Sequence, residues 1–542
     1  MNYSNITQYC LDAHLHGSIA RSPAFVSFDE TLQKRTETSY LELAETVNSY
    51  AAVLKQAGAK KGDRVVLYMA HSVELVAAML ACARIGAIHS VIFAGFSDLA
   101  IRSRLEDLRP KIIISHDYLL RREKIVPLIE NVREASEGLD FIEHVFVKNS
   151  SETIRLELDP KEQSLDDLAK KYLDTEIEPE QMTELDPLFV LYTSGSTGKP
   201  KGIVHGSVGY REHIVKTARK NLGLAEGVRY WCSADPGWIT GHSYIAYAPL
   251  ILGVTQYIVQ GPLDFPDPSK WLKVLAQEQI ESFYTAPTAL RKIKSNFPQP
   301  SIDFDLSALS FIGSVGEPIN TDVRKWFTGN FGKEGETHFV DTWWQTETGG
   351  HIIVNGQLED GLRAEILEGE LILLGDWPSK MIDCWGDRER YLKYFGTKKD
   401  TGESYFRTGD MAEISKDGKI SILGRIDDVL NISGHRLGTV EFENIAVACD
   451  LISEAAAIAV DDPVTGQAVV LFVTAKEDLE SELKVNQQLT YEISREIGKF
   501  ALPKEIIVRE SLPKTRSGKI MRRVLKAEYL GQNTGDTSTL AD

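Results

Sequence analysis

The sequence predicts an α/β protein: a large N-terminal domain of two doubly wound α/β halves plus a small β-rich subdomain, then a smaller α+β C-terminal domain. Three observations carry this. At 542 residues the chain is too long for one core and calls for three or four folding units. Short apolar runs alternate with amphipathic helical patterns from residue 64 to about 350, as βαβ units with a mostly parallel, two-side-covered sheet require. The pattern then changes twice, at 351 and around Gly424-Arg425-Ile426-Asp427-Asp428. The predicted division is 1–426, with halves 1–186 and 187–350 and subdomain 351–426, followed by 427–542.

In chain order, Tyr40–Leu54 reads as a helix and Arg64–Met69 as a strand. Ser72–Ile85 places Leu75, Val76, Met79, Leu80 and Ala83 on one helical face. Strand, helix and strand follow at His89–Phe93, Ser97–Leu108 and Lys111–Ser115, and Phe146-Val147 closes the first half. Residues 149–187 are polar and acidic and read as an exposed excursion with one helix. The second half begins at Leu188–Tyr192 and continues through Arg229–Ser233, Thr255–Val259, Ser282–Ala286 and Leu309–Ser314. Short strands follow at Glu370–Leu374, Ser404–Arg407 and Lys419–Leu423. The last domain carries helices at Gly438–Cys449 and Gln487–Phe500 and a strand at Val469–Thr474.

Composition excludes several classes. Apolar content of 43% with 25% charged residues is ordinary for a globular protein. A net charge of −18 argues against nucleic acid as a general partner. No apolar run is long enough to span a bilayer, and the N-terminus lacks a signal-peptide pattern. Five cysteines without a C-x-x-C pair point to a reducing cytoplasm and against structural zinc.

Chemistry concentrates in one loop, Tyr192-Thr193-Ser194-Gly195-Ser196-Thr197-Gly198-Lys199-Pro200-Lys201-Gly202. Glycines let backbone N–H groups curl round an anion, hydroxyls add donors, and lysine adds charge. That equips it for a nucleotide polyphosphate. It is not a Walker A loop: Thr193 stands where the first glycine belongs, and Pro200 replaces the Mg²⁺-binding hydroxyl. Pro200 would also break the helix that such a loop must cap.

The loop resembles the phosphate loop of the adenylate-forming superfamily. The same order of motifs recurs along nearly the whole chain: Tyr284-Thr285-Ala286-Pro287-Thr288, Gly313-Ser314-Val315-Gly316-Glu317-Pro318, Asp341-Thr342-Trp343-Trp344-Gln345-Thr346-Glu347-Thr348, Arg407-Thr408-Gly409-Asp410, Gly424-Arg425, Ser433-Gly434-His435-Arg436 and Pro513–Lys519. Within it, Ala234-Asp235-Pro236-Gly237-Trp238-Ile239-Thr240-Gly241-His242-Ser243-Tyr244 and the WWQTETGG run resemble AMP-forming acetyl-CoA synthetases.

The resemblance implies ATP-dependent activation of acetate to acetyl-AMP, then transfer to CoA, with ATP, CoA and Mg²⁺ required. Thr193, Ser194, Gly195, Ser196, Thr197, Gly198 and Lys199 would grip the leaving pyrophosphate. Lys519, on a C-terminal domain that moves, would neutralise the α-phosphate and the attacking carboxylate; its acetylation would remove that charge. Gly316, Glu317 and Pro318 would line one adenine face, and Asp341, Thr342, Trp343, Trp344, Gln345 and Thr346 the other. Asp410 would hold the ribose, Arg425 and Arg436 the ribose and phosphate, and Glu347 the Mg²⁺. Trp344 would wall the acyl pocket with Trp238, Ile239, Thr240 and Val315, since extra carbons against an immobile indole cost roughly 1–3 kcal/mol. Arg121, Arg122, Lys124, Thr240, Ser433, Gly434 and Arg495 would bind CoA, and Asp427 is the implied hinge.

The sequence departs from these relatives in places. Residues 351–370 are shorter, leaving less chain for the β-rich subdomain. Asp264 replaces a CoA-contacting asparagine, putting a negative charge near CoA phosphates. Cys449 replaces a histidine of a cation site whose other positions are Val447 and Ile452. Two alternatives stay open: the same chemistry on another short acid such as propionate, and a catalytically weakened nucleotide-binding relative.

Overall fold

The computed structural model describes residues 4–151, 157–193, 200–317, 319, 321–333, 335–426, 429–432, 435–462, 466–476, 482–497, 501–515, 520–534, 537 and 540; for 429–432, 435–438 and 466 only the backbone is described. The chain divides into two compact units. The first runs from the N-terminus to Asn355 and takes in Asp376–Tyr391; the second takes Gly356–Gly375 and the chain from Leu392 onward.

Two large sheets form the body of the first unit, with a separate two-stranded one at 118–127. One has the strand order Asp383–Cys384, Lys201–Gly206, Pro187–Thr193, Ile88–Val91, Arg64–Tyr68, Ile112–His116, His144–Lys148, Glu162–Ser164. The other runs Ile353–Val354, His338–Trp343, Phe311–Ser314, Ser282–Thr285, Arg229–Cys232, Thr255–Val259, Pro23–Phe28, Arg35–Ser39. Side-chain alternation along a strand explains the layering. Val65, Leu67, Ile112 and Ile114 enter a central core, while Val66, Tyr68 and Ile113 enter an outer one. In the other sheet Tyr230 and Tyr284 face the central core and Trp231 and Phe283 an outer one. The central core thus lies between the sheets and holds helix Val73–Arg84, whose residues from Leu75 on are all buried.

The predicted strands and helices appear within a residue or two of their expected ends, save that Gln487–Phe500 is Glu482–Glu496 and two short strands extend to Ser404–Ile414 and Gly466–Ala475. The structure differs in where strands go. Pro187–Thr193 and Lys201–Gly206 join the sheet of the first half, and Pro23–Phe28 pairs in parallel with Thr255–Val259, matching Phe25 to Gln256. Period-two patterning sets a strand's faces but not its neighbours. The acidic stretch 149–187 also contributes strand Glu162–Ser164, parallel to His144–Lys148, before helix Leu165–Ala169.

The second unit holds two sheets. Arg363–Leu367, Glu370–Leu374, Ser404–Ile414 and Phe395–Thr397 form one, with Ile420–Arg425 alongside Ser404–Ile414. The shortened 351–370 stretch therefore still supplies a hairpin, and Glu370–Leu374 is buried throughout. The second sheet orders His435–Gly438, Val429–Ile432, Gly466–Ala475, Ile452–Asp462, with Glu505–Val508 beside Gly466–Ala475. Helices Thr439–Ala448 and Glu482–Glu496 cover one face, through Phe442, Ala446, Val485, Leu489 and Ile493.

Candidate active site

The phosphate-loop residues Ser194–Lys199 lie outside the described residues, as do Pro318, Asp427, Ser433, Gly434, Lys519 and the Arg436 side chain. The ends of the loop are described. Strand Pro187–Thr193 enters it and strand Lys201–Gly206 leaves it antiparallel, pairing Thr193 with Lys201. The loop therefore joins two strands of one sheet rather than a strand and a helix. Tyr192 anchors the entry through its hydroxyl, 2.7 Å from Asp107 Oδ2.

The WWQTETGG run is held on several sides. It leaves strand His338–Trp343 and turns through a single 3₁₀ turn at Thr346–Thr348. Gln345 N donates to Thr348 Oγ1 at 2.9 Å. The Thr346 carbonyl accepts from His205 Nε2 at 2.7 Å, and that imidazole is kept neutral by burial, its pKa pushed down to about 4. The Thr348 carbonyl accepts from Ser379 Oγ at 2.6 Å and Trp377 Nε1 at 3.1 Å. Gly349 has φ +72°, and a Cβ there would sit 2.4 Å from the Ser379 carbonyl oxygen, so no other residue fits without moving that backbone.

Trp344 is half-buried and packs on the central core, which also contains Ile239 and Val315, 9% and 8% exposed. Its ring meets Tyr244 edge-on at 5.2 Å. Thr240 is buried beside Ile239. Trp238, the remaining predicted pocket residue, packs with another core, against Phe93 at 5.9 Å and Phe96 at 6.2 Å. The turn around it is compact: a Cβ on Gly241 would meet Pro236 Cα at 2.4 Å, and one on Gly237 would meet Phe93 Cα at 2.8 Å.

Asp235, in the same turn, accepts from Gly237 N at 2.7 Å, yet desolvation pushes its carboxyl up to about 6. A carboxyl raised in the folded state contributes stability below its ordinary pKa near 3.8, and loses it as pH climbs through about 6. Asp235→Asn is therefore expected to flatten the fall in melting temperature between about pH 4 and 6. Parallel melting curves for parent and variant would refute that assignment.

Other nucleotide candidates are already engaged. Glu317 accepts from Thr288 N at 2.7 Å, from the Thr288 hydroxyl and from Arg291 at 2.8 Å. Asp341 accepts from Ser314 Oγ at 2.6 Å, and its pKa is raised by desolvation. Thr342 is buried and Trp343 half-buried; Gly316 has φ +95° with open space around it. In the second unit, Asp410 is buried and pairs across the ladder with Arg425, whose Nη1 lies 3.2 Å from its Oδ1 and 3.1 Å from the Thr408 carbonyl.

The predicted CoA cations sit on a hairpin, Tyr118–Arg121 with Lys124–Pro127, in which Arg121 pairs with Lys124. Its turn residues Arg122 and Glu123 have φ of 53° and 61°, and Glu30 holds both of their N–H groups, at 2.9 and 2.6 Å. Arg122 forks onto Asp264 at 2.8 and 2.9 Å, and Lys292 reaches the same carboxylate at 2.8 Å. Desolvation raises the Asp264 pKa, but Lys292 and Arg122 outweigh it and hold the group below its ordinary value. The Asp264 charge that looked unfavourable from sequence is thus neutralised within the fold. Arg495 is paired with Glu492 and Glu496 on its own helix, at 2.8 and 2.7 Å.

Among the described residues, no group of three or more His, Cys, Asp or Glu side chains could hold a metal. Mg²⁺ beside a nucleotide needs only one or two carboxylates, phosphate oxygens supplying the rest. The part-exposed Glu347, on the 3₁₀ turn, suits that demand.

A family profile for AMP-binding enzyme matches residues 17–367, and one for AMP-binding enzyme C-terminal domain matches residues 441–519. The chain belongs to the AMP-binding enzyme family. This AMP-binding enzyme is 41% identical to acetyl-coenzyme A synthetase of Laribacter hongkongensis (strain HLHK9), over 99% of the chain and 86% of the relative. It is 40% identical to acetyl-coenzyme A synthetase of Salmonella typhimurium and 37% identical to that of Helicobacter pylori (strain P12), with the same coverage. The fold matches acetoacetyl-CoA synthetase from Streptomyces lividans with a TM-score of 0.88, at 21% identity over 99% of this chain and 84% of that one. No helix among the described residues is long and apolar enough to cross a membrane, and all five cysteines are buried and free.

Sequence reasoning missed the partners of these residues: His205 and Ser379 on the WWQTETGG run, Arg291 on Glu317, and Lys292 on Asp264. Each comes from an element distant in the chain, and none sits in a motif.

Proposed function

We propose that the chain is an AMP-forming acetate–CoA ligase. Acetate oxygen attacks the α-phosphorus of ATP; the bond to the β-phosphate oxygen breaks and pyrophosphate leaves. The CoA sulfur then attacks the acetyl carbon of acetyl-AMP, the C–O bond to phosphate breaks, AMP departs and the thiol proton passes to solvent. The observation that carries the reading is Trp344, set on the core that contains Ile239 and Val315, in a chain about 40% identical to acetyl-coenzyme A synthetases. An indole fixed there leaves room for a short acid.

The loop from Thr193 to Lys199 grips pyrophosphate in this reading, and Lys519 supplies the cation, so acetylation of Lys519 would act as a switch. Asp427 is the hinge between a body ending at 426 and a mobile domain from 427. Asp410 accepts from the ribose hydroxyls. Mg²⁺, held by phosphates and Glu347, would offset charge on the polyphosphate. Arg121 and Lys124 meet CoA phosphates, with Arg122 fixing the hairpin through Asp264. The free cysteines support a reducing cytoplasm.

The deciding experiment is ATP–pyrophosphate exchange over a panel of acids, with and without CoA. Exchange with acetate in the absence of CoA, stronger than with propionate, is expected; exchange independent of any acid would overturn the reading. Asp410→Ala is expected to raise KM for ATP by about tenfold or more, because charge-assisted hydrogen bonds are worth about 1.5–3 kcal/mol each. An unaltered KM would remove Asp410 from the nucleotide site.

A further inference from the structure

Trp344 is tied to a buried polar chain. Its Nε1 donates to the Tyr284 hydroxyl at 3.2 Å. The same hydroxyl lies 2.6 Å from Thr342 Oγ1 and 3.0 Å from His351 Nε2. His351 Nδ1 lies 3.2 Å from Asn221 Nδ2. Tyr284, Thr342, His351 and Asn221 are all buried.

What each group can offer fixes the direction of every bond. Thr342 donates its hydroxyl hydrogen to the Ser314 carbonyl at 2.9 Å, so it accepts from Tyr284. With its own hydrogen committed to Thr342, the Tyr284 oxygen accepts from both Trp344 and His351. His351 must then carry its hydrogen on Nε2 and accept the Asn221 amide at Nδ1. Burial agrees, since desolvation drives the imidazole well below its ordinary pKa and keeps it neutral. The rings complete the clamp. Tyr244 stacks on His351 at 4.2 Å and meets Trp344 edge-on, and its hydroxyl accepts from His351 N at 3.0 Å.

We propose that Tyr284 and His351 are positioning residues for acid selectivity: the directed chain from Asn221 through His351 and Tyr284 fixes the Trp344 indole, so that the acyl site ends after two carbons. Every link has one donor and one acceptor, so the indole has a single orientation that satisfies the set. Removing a link leaves a buried polar atom without its partner and frees the indole to turn. This rests on Trp344 being the wall of the acyl pocket.

The test is kcat/KM for acetate, propionate and butyrate, read by pyrophosphate release, in the full-length parent and in Trp344→Gly, Tyr284→Phe, His351→Leu and His351→Gln. Tyr284→Phe and His351→Leu are expected to lower the acetate-to-propionate ratio about tenfold, the low end of what one methylene is worth to a tight pocket. His351→Gln, whose amide keeps a donor and an acceptor, is expected to retain the ratio. A role in folding alone would reduce activity on all acids equally and leave the ratio unmoved, which would overturn the proposal. A ratio unchanged in Trp344→Gly overturns the pocket reading itself. A ratio lowered there but parental in Tyr284→Phe and His351→Leu overturns only the positioning role. If Tyr284→Phe does not fold, the two His351 variants decide: equal ratios refute the directed chain.

Discussion

Lys519→Ala is expected to lower acetate-dependent ATP–pyrophosphate exchange by on the order of 10²–10³ or more, while still converting supplied acetyl-AMP and CoA to thioester. Adenylation brings a carboxylate against a polyphosphate, and a preorganised cation in a water-poor site offsets that repulsion where it is greatest. Thioester formation starts from an acyl-AMP in which the acetate charge is already masked, so the same cation matters less. Single-turnover assays of each half-reaction separate the two. Equal loss in both would refute the division of labour and point to a general structural role for the C-terminal segment.

The second large effect is expected from Trp344→Gly. The indole is half-buried, anchored at its N–H by Tyr284 and braced by Tyr244. With Trp344 as the proposed wall of the acyl pocket, deleting it removes the surface against which a third or fourth carbon would collide. Because each methylene is worth roughly 10–200-fold in a fitted pocket, the acetate-to-butyrate preference is expected to fall by on the order of 10², with acetate KM rising. A buried aromatic truncation costs at most about 3–5 kcal/mol, so the assay belongs well below the variant's melting temperature. Parental chain-length selectivity in a folded variant would remove Trp344 from the pocket.

Much of this was legible in the sequence because the chemistry is local in the chain. The strand entering the phosphate loop, the Walker mismatch at Thr193 and Pro200, and the run from Asp341 to Thr348 each lie within a dozen residues. Pro200 implied that no helix follows, and a strand does. What could not be read is non-local. His351 follows the WWQTETGG run immediately, yet its use depends on Asn221 and Tyr284, 130 and 67 residues away. Asp264 looked like an unfavourable charge because Arg122 and Lys292 meet it only in three dimensions. Ile452–Asp462 is a strand that local preference hides: its four alanines, which favour helix, are held extended by pairing along Gly466–Ala475.

The pairing of Pro23–Phe28 with Thr255–Val259 also governs how the protein is made. Phe25 leaves the ribosome more than two hundred residues before Gln256, its partner in the sheet. At about 5–20 residues per second, that early strand waits on the order of ten seconds or more with its ladder edge open. Its companion Arg35–Ser39 is available at once and has three consecutive exposed positions, Arg35, Thr36 and Glu37. A charged, antiparallel neighbour of this kind blunts the opposite edge of Pro23–Phe28 against other nascent chains. Because Arg35–Ser39 lies on the side of Pro23–Phe28 away from Thr255–Val259, this early hairpin closes one edge only, and the other stays open until the parallel partner arrives to complete the sheet.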